Sequence, residues 1–389
     1  MPQIVTSEKL PIKLWLDDIE AGAMAQARNL ANLPFVFRHV AVMPDAHLGY
    51  GMPIGGVMAS SEVVIPNAVG VDIGCGMCAV QTSLTSISTE KLEQLLGLLR
   101  SFIPLGFKHH PRRQDAGLMP VPETSLAQLP VVAQEFQNAR TQLGTLGGGN
   151  HFIEIQKGND GHIWLMVHSG SRNLGFKVAN HYNHLAMNLN RQWGSKIPRQ
   201  WQLAFLPIDS DVGRIYLQEM RYCVEFAYAN RMLMMERIKE ALQVVATPVF
   251  FQPLVNIAHN YAAMEEHFGE KVMVHRKGAT SAKSGEIGII PGSQGTPSYI
   301  VRGLGNPESF ESCAHGAGRK MGRKQAQRQL NLAREQQRLD AQGILHGLRS
   351  ARDLDEASGA YKNIDKVIES QLDLVEVVVE LRPLAVIKG

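Results

Sequence analysis

The sequence predicts a soluble α/β protein, on three observations. Apolar residues make up 44% of the 389 and charged residues 19%, a balance that supports a packed core and excludes a disordered chain. Short apolar runs at 35–42, 163–167 and 372–387 have the length of buried strands. Between them lie long stretches of helical character, at 88–103 and 211–247. Four cysteines (Cys75, Cys78, Cys223, Cys313) in so long a chain are no disulfide framework. No apolar run reaches about 18 residues, so no membrane span is expected. The opening Met-Pro-Gln-Ile-Val-Thr-Ser-Glu lacks the basic and apolar regions of a signal peptide, so a cytoplasmic protein is expected. The net charge of +3 permits a nucleic-acid partner without pointing to one.

Residues 1–40 read as a short strand, a helix near 19–31 and a strand that reaches 42. The following Met43-Pro-Asp-Ala-His-Leu-Gly-Tyr is a polar turn or a functional segment, with Asp45 and His47 on one side if extended. At 88–103 a helix is expected, with Ser88 as cap, Glu90 in its first turn and Leu92, Leu95, Leu96, Leu99 and Phe102 as its core stripe. Residues 104–130 are a Pro-rich surface loop bearing Lys108, His109, His110, Arg112 and Arg113. His181 and His184 stand i, i+3 on a helix and read as helix surface or core. A long helix covers 211–247, with Asp211 as cap candidate and Met and aromatic residues for packing. Residues 272–274 form a short strand, 319–349 a basic helix, and 372–387 apolar strands.

The chemistry gathers in glycine-rich segments. Val69-Gly-Val-Asp-Ile-Gly-Cys-Gly-Met-Cys78 holds Asp72 and Cys75 three apart, suited to a metal site or a nucleophile. Its Cys-x-x-Cys spelling has no second pair, so Cys78 reads as core. Thr145-Leu-Gly-Gly-Gly-Asn-His-Phe-Ile-Glu154 and Ile290-Pro-Gly-Ser-Gln-Gly-Thr-Pro-Ser298 offer free backbone N–H groups to a phosphate. His168 ends a buried strand, and His259 sits in Asn256-Ile-Ala-His-Asn-Tyr. His315, in Ser312-Cys-Ala-His-Gly-Ala-Gly-Arg319, is expected to open a helix. Asp72, Cys75, His151, His168 and His259 exceed the four ligands of one tetrahedral ion, so two ions are expected, as suits phosphoryl chemistry. Ligand softness alone favours zinc over manganese. A terminal Lys388 on a buried strand is placed to reach the same site.

With these motifs on the page, the chain resembles the RtcB family of RNA ligases. MPDAHLGYGMPIGG, VGVDIGCGM, GTLGGGNHFIE, HSGSR, HNY, HRKGA, IPGSQGTPSY, HGAGRKMGR and the terminal IKG carry the likeness, from about Leu14 to Gly389. The resemblance implies one compact domain over 1–389, with central β-sheets flanked by helices. It implies joining of an RNA 2′,3′-cyclic phosphate or 3′-phosphate end to a 5′-hydroxyl end, in tRNA splicing or RNA repair, with GTP and two Mn²⁺ ions. Its metal ligands fall on Asp72, Cys75, His151, His168 and His259, and its guanylylated nucleophile on His315. Its nucleotide contacts fall on Asn150, His151, Phe152, Ile153 and Glu154, on His259 and Asn260, and on Pro291, Gly292, Ser293, Gln294 and Ser298. They continue on His315, Gly316, Ala317, Gly318 and Lys388. A monomer acting on RNA, without a membrane, is expected. Gln294, Gly322 and Asn173 depart from the family's usual Met, Ser and Gly, which would suit a divergent RNA-repair paralogue. A dinuclear phosphohydrolase or nuclease is the competing reading, and a silent RNA-binding relative the third. His315 separates the first from the ligase, because hydrolysis has no use for it.

Overall fold

The computed structural model describes residues 2–389. It is mixed α and β, built on two main sheets. Six strands form the first, in the order Gln3–Val5, Ile12–Leu14, Val36–Tyr50, Met52–Ser60, Glu270–Lys277, Asn260–His267. Seven form the second, in the order Val255–Ala258, Gly76–Gln81, Ile163–Ser169, Phe152–Gly158, Val375–Lys388, Ser298–Gly303, Ile287–Ile290. All neighbours within the two are antiparallel except Ile12–Leu14 beside Val36–Tyr50.

Side-chain alternation assigns each face. Along Val36–Tyr50, Val40 and Val42 pack with Leu30 of the helix Ala21–Ala31. Ala41 and Met43 face the opposite way, onto Tyr299, Val301 and Phe310. In the second sheet Ile153, Ile155, Leu165 and Val167 meet Leu95 and Leu99 of the helix Thr89–Phe102 and Met234 and Ile238 of the helix Asp211–Val245. Phe152 and Met166 lie on the other face. That period of two is the physical reason a single strand serves both core and site. The apolar helix faces explain why the sheet strands read as near-continuous hydrophobic runs.

Several elements differ from the sequence reading. The strand from Val36 runs on to Tyr50, so Asp45 and His47 lie within it and not in a turn. Ser210, not Asp211, caps the long helix: its hydroxyl accepts from Gly213 N–H at 3.1 Å. Phe102 is 39% exposed at the end of its helix, while Leu92, Leu95, Leu96 and Leu99 are buried. The basic stretch after 319 is not one helix but two, Arg323–Gln329 and Leu332–Asp340. The break is Asn331, whose side chain accepts from Arg334 N–H at 3.0 Å and starts a new helix. No helix opens at His315: a glycine turn follows it, and helix resumes at Arg323. The short strand near 272–274 is longer, Glu270–Lys277.

Candidate active site

The ends of three neighbouring strands of the seven-stranded sheet converge on one buried point. Cys75 directly precedes Gly76–Gln81, His151 precedes Phe152–Gly158, and His168 lies in Ile163–Ser169. Cys75 Sγ is 3.5 Å from His151 Nε2 and 3.4 Å from His168 Nε2. Both rings are set by backbone carbonyls. His151 Nδ1 donates to Leu146 O at 2.9 Å, and His168 Nδ1 to Asn150 O at 3.1 Å. Each ring then turns its Nε2 toward the sulfur. Asp72 Oδ2 is 3.2 Å from His151 Nε2. Two acceptors at that distance require a proton or a cation between them. His259 completes the group, its ring edge-on to His168 at 5.3 Å and to His315 at 4.8 Å between centroids. Its Nδ1 is buried without a hydrogen-bond partner.

These donors fit a divalent centre. Burial, then the Asp72 charge, pushes the Cys75 thiol well above its ordinary range. Burial also drives His168 and His259 well below the ordinary imidazole value, reinforced by neighbouring rings, so both rings are neutral. Burial raises the Asp72 carboxyl, but the hydrogen bond and charge of His151 outweigh it and hold it below the usual range. A thiol that burial alone keeps protonated becomes a thiolate when a dication compensates it.

His315 stands on the far side of His259. Its Nδ1 lies 2.5 Å from Asp45 Oδ2, and Asp45 Oδ2 also accepts from the backbone N–H of His315 at 3.1 Å and of Gly316 at 3.2 Å. Asp45 is completely buried: two backbone N–H groups donate to its Oδ2, while its Oδ1 and the neighbouring His315 Nδ1 are both buried without a hydrogen-bond partner. With Nδ1 against Asp45, Nε2 is the ring nitrogen on the side away from the carboxylate. Gly318 is held at φ +71° against the Asp45 carbonyl, where a Cβ would collide.

A cavity of about 510 Å³ opens in front of both groups. His168, His315, Asn150, Phe152, Glu154, Pro291, Gly292, Ser293, Gln294, Gly316, Ala317, Gly318 and Lys388 line it, with Arg319, Arg323, Glu356 and Tyr361 on another wall. Burial raises the Glu154 carboxyl to about 8, against the pull of Lys388 and of Gln156 Nε2 at 2.7 Å. Lys388 Nζ sits 5.5 Å over the Phe152 ring. Other residues of the expected nucleotide set lie off the cavity wall. Ile153 turns into the helix-side core, because the residues on either side of it face the cavity. Asn260 ties backbone, donating to Asp72 O at 3.0 Å and accepting from Gly278 N–H at 2.8 Å. Ser298 Oγ accepts from Gly292 N–H at 3.1 Å and so shapes the Pro291–Gln294 loop from behind. Cys78 is core, and His181 and His184 are exposed helix surface.

Two residues that support the site escaped the sequence reading. Asn230 accepts from Gly144 N–H and Thr145 N–H and donates to Thr145 O, Ser169 Oγ and Gly170 O. Arg231, fully buried, donates to Gly74 O and Ser169 O at 2.9 Å each and to Asn256 Oδ1 at 2.7 Å. Together they clamp the loops that carry Cys75, His151 and His168. An Asn-Arg pair inside an apolar, Met-rich helix was the available signal.

Fold and site define a class: an α/β protein with a candidate metal centre beside a buried histidine–aspartate contact, next to a cavity lined by Arg319, Lys320, Arg323 and Lys388 together with Glu154 and Glu356. The comparisons with known proteins narrow it. A family model described as tRNA-splicing ligase RtcB matches residues 26–123 and 123–389. The RNA-splicing ligase RtcB of Escherichia coli K12 is 39% identical, over 100% of this chain and 99% of its own. The tRNA-splicing ligases RtcB of Thermococcus kodakarensis and Pyrobaculum aerophilum are 33% and 32% identical over 100% of this chain, and over 97% and 96% of their own. The chain belongs to the RtcB family.

Proposed function

We propose that this chain is an RNA ligase that joins a 2′,3′-cyclic phosphate or 3′-phosphate RNA end to a 5′-hydroxyl end, with GTP as co-substrate. Asp72, Cys75, His151, His168 and His259 would hold two Mn²⁺ ions. The ions supply Lewis-acid stabilisation of charge on the phosphoryl oxygens. Asn150, Phe152, Glu154, the Pro291–Gln294 loop, the Gly316–Gly318 turn and Lys388 would hold the nucleotide, with Asn260 and Ser298 setting the backbone around it. The protein would act as one cytoplasmic domain and as a monomer, in tRNA splicing or in repair of cleaved RNA.

The observation that carries this reading is the pairing of His315 with Asp45 in the cavity shared with the thiol–imidazole cluster. With Nδ1 held by Asp45, His315 Nε2 attacks the α-phosphorus of GTP; an N–P bond forms and pyrophosphate leaves. The RNA 3′-phosphate then attacks the same phosphorus, breaking the N–P bond and restoring the imidazole. The RNA end now carries GMP as leaving group. The 5′-hydroxyl attacks the RNA phosphorus, gives up its proton and expels GMP. A cyclic phosphate enters this sequence after hydrolysis to the 3′-phosphate.

The test is incubation with Mn²⁺ and α-labelled GTP, beside His315→Ala. Label on the denatured wild-type chain and none on the variant is the expected result. No label on either, with phosphate released from RNA ends, would replace the ligase by a dinuclear phosphohydrolase.

A further inference from the structure

The most exposed aromatic side chain among the described residues is Phe107, at 96%. A lone exposed apolar residue is ordinary on a protein surface. This one has two unusual properties. It occupies a closed turn, with Lys108 N–H donating to Leu105 O at 3.2 Å and Gly106 at φ +61°. The turn is also tied to the glycine segment that leads into His151. Leu105 bridges Gly147, Gly106 N–H donates to Gly147 O at 3.1 Å, and Leu146 N–H to Pro104 O at 3.0 Å. Arg172 Nη2 donates to Gly106 O at 3.2 Å. Gly147 itself abuts the His151 ring: a Cβ there would sit 2.5 Å from its Nδ1. A rigid scaffold thus presents the phenyl ring to solvent beside the active site.

The chain next to it is cationic. Lys108, His109, Arg112 and Arg113 are all exposed, and none of their side chains takes part in an ion pair or hydrogen bond among the described residues. A presented π-face followed by unpaired cations is the pattern that holds single-stranded nucleic acid, by base stacking and phosphate attraction together.

We propose that Phe107 is a stacking platform for an unpaired base of the RNA near the end being joined, with Lys108, Arg112 and Arg113 on the adjacent phosphates. This rests on the RNA-joining reading above. Because Phe107 packs on nothing, its substitution leaves the melting temperature unchanged.

The experiment uses the full chain carrying Phe107→Trp, Phe107→Leu or Phe107→Ala. A single-stranded oligoribonucleotide with a 3′-phosphate is titrated against each, and tryptophan emission is read against the wild type, whose four native tryptophans give the background. Expected are saturable quenching of the added tryptophan and RNA binding about tenfold weaker in Phe107→Ala and Phe107→Leu. Transfer of label from GTP to His315 stays at the wild-type level in all three. Wild-type RNA affinity in Phe107→Ala with unquenched Phe107→Trp would overturn the proposal and leave the ring as a surface for a protein partner. Wild-type affinity in Phe107→Leu would also overturn it, since leucine has no π-face. Absence of label from the wild type would remove the ligase reading alone, because the quenching titration judges the platform without GTP.

Discussion

The cluster around Cys75 and the His315–Asp45 pair face one cavity but are supported differently. The cluster stands on strand ends of the seven-stranded sheet, with the His151 and His168 rings locked by carbonyls and the loops clamped by Asn230 and Arg231 from one helix. His315 sits in an irregular segment whose backbone N–H groups, at His315 and Gly316, donate to the Asp45 carboxylate of the six-stranded sheet, which also touches its Nδ1. The thiol–imidazole cluster and His315 are therefore separable in principle, although His259 lies between them. A preorganised group depends on what holds it, so changes in each support should act on one half.

The sharpest break comes from Cys75→Ala. It removes the shared sulfur, so Mn²⁺ binding measured by calorimetry and RNA joining should both fall to background, while the melting temperature without metal stays within a few degrees. Asp45→Asn should act on the other half. It keeps the shape and loses the charge, so guanylyl labelling of His315 should drop about 10²- to 10⁴-fold, by analogy with an imidazole that loses its orienting carboxylate. Mn²⁺ affinity should not move; a matching loss there would mean the two halves are one unit. Arg231→Met tests the clamp. It strands two carbonyls and the Asn256 oxygen, each costing about 1–3 kcal/mol, so thermal stability should fall and metal affinity weaken about 10- to 100-fold.

The smallest effect is a pH dependence. The Glu154 carboxyl is raised to about 8 in the fold, against an ordinary value of 4.5. Between those values the unfolded chain has lost a proton that the folded chain keeps, so stability declines as pH rises from about 4.5 and levels off above about 8. Glu154→Gln does not titrate, and its denaturation midpoint should be flatter over that window. An equal slope in both proteins would mean that Glu154 is not the group responsible.

The cluster of Cys75, His151 and His168 was legible because thiol and imidazole stand out among glycines, and strand ends bring such segments together. Element types were legible where one period ran long, as from Thr89 to Phe102. What stayed hidden was decided by tertiary contacts. Asp45 reads equally as a polar turn or part of a functional segment, and only the strand that continues through it shows that it lies against His315. Arg231 drew no expectation of its own, because its role depends on the acceptors that the loops around its helix supply. The basic stretch after 319 has helical composition throughout, and one side-chain oxygen on Asn331 divides it. Ile153 was included in the nucleotide set because its motif is contiguous, whereas a strand exposes only alternate residues.

The strand Val375–Lys388 lies in the interior of its sheet, between Phe152–Gly158 and Ser298–Gly303, partners far from it along the chain. Until it inserts, both partners keep an open edge, and the sheet remains in two pieces. Such a topology has high contact order, and closing its long loops comes before the pairing that offsets them, so folding should be slow and its intermediates prone to edge-to-edge aggregation. Because that same strand carries Lys388 to the cavity wall, completion of the fold and completion of the cavity become a single kinetic event, and a half-folded chain has no finished cavity.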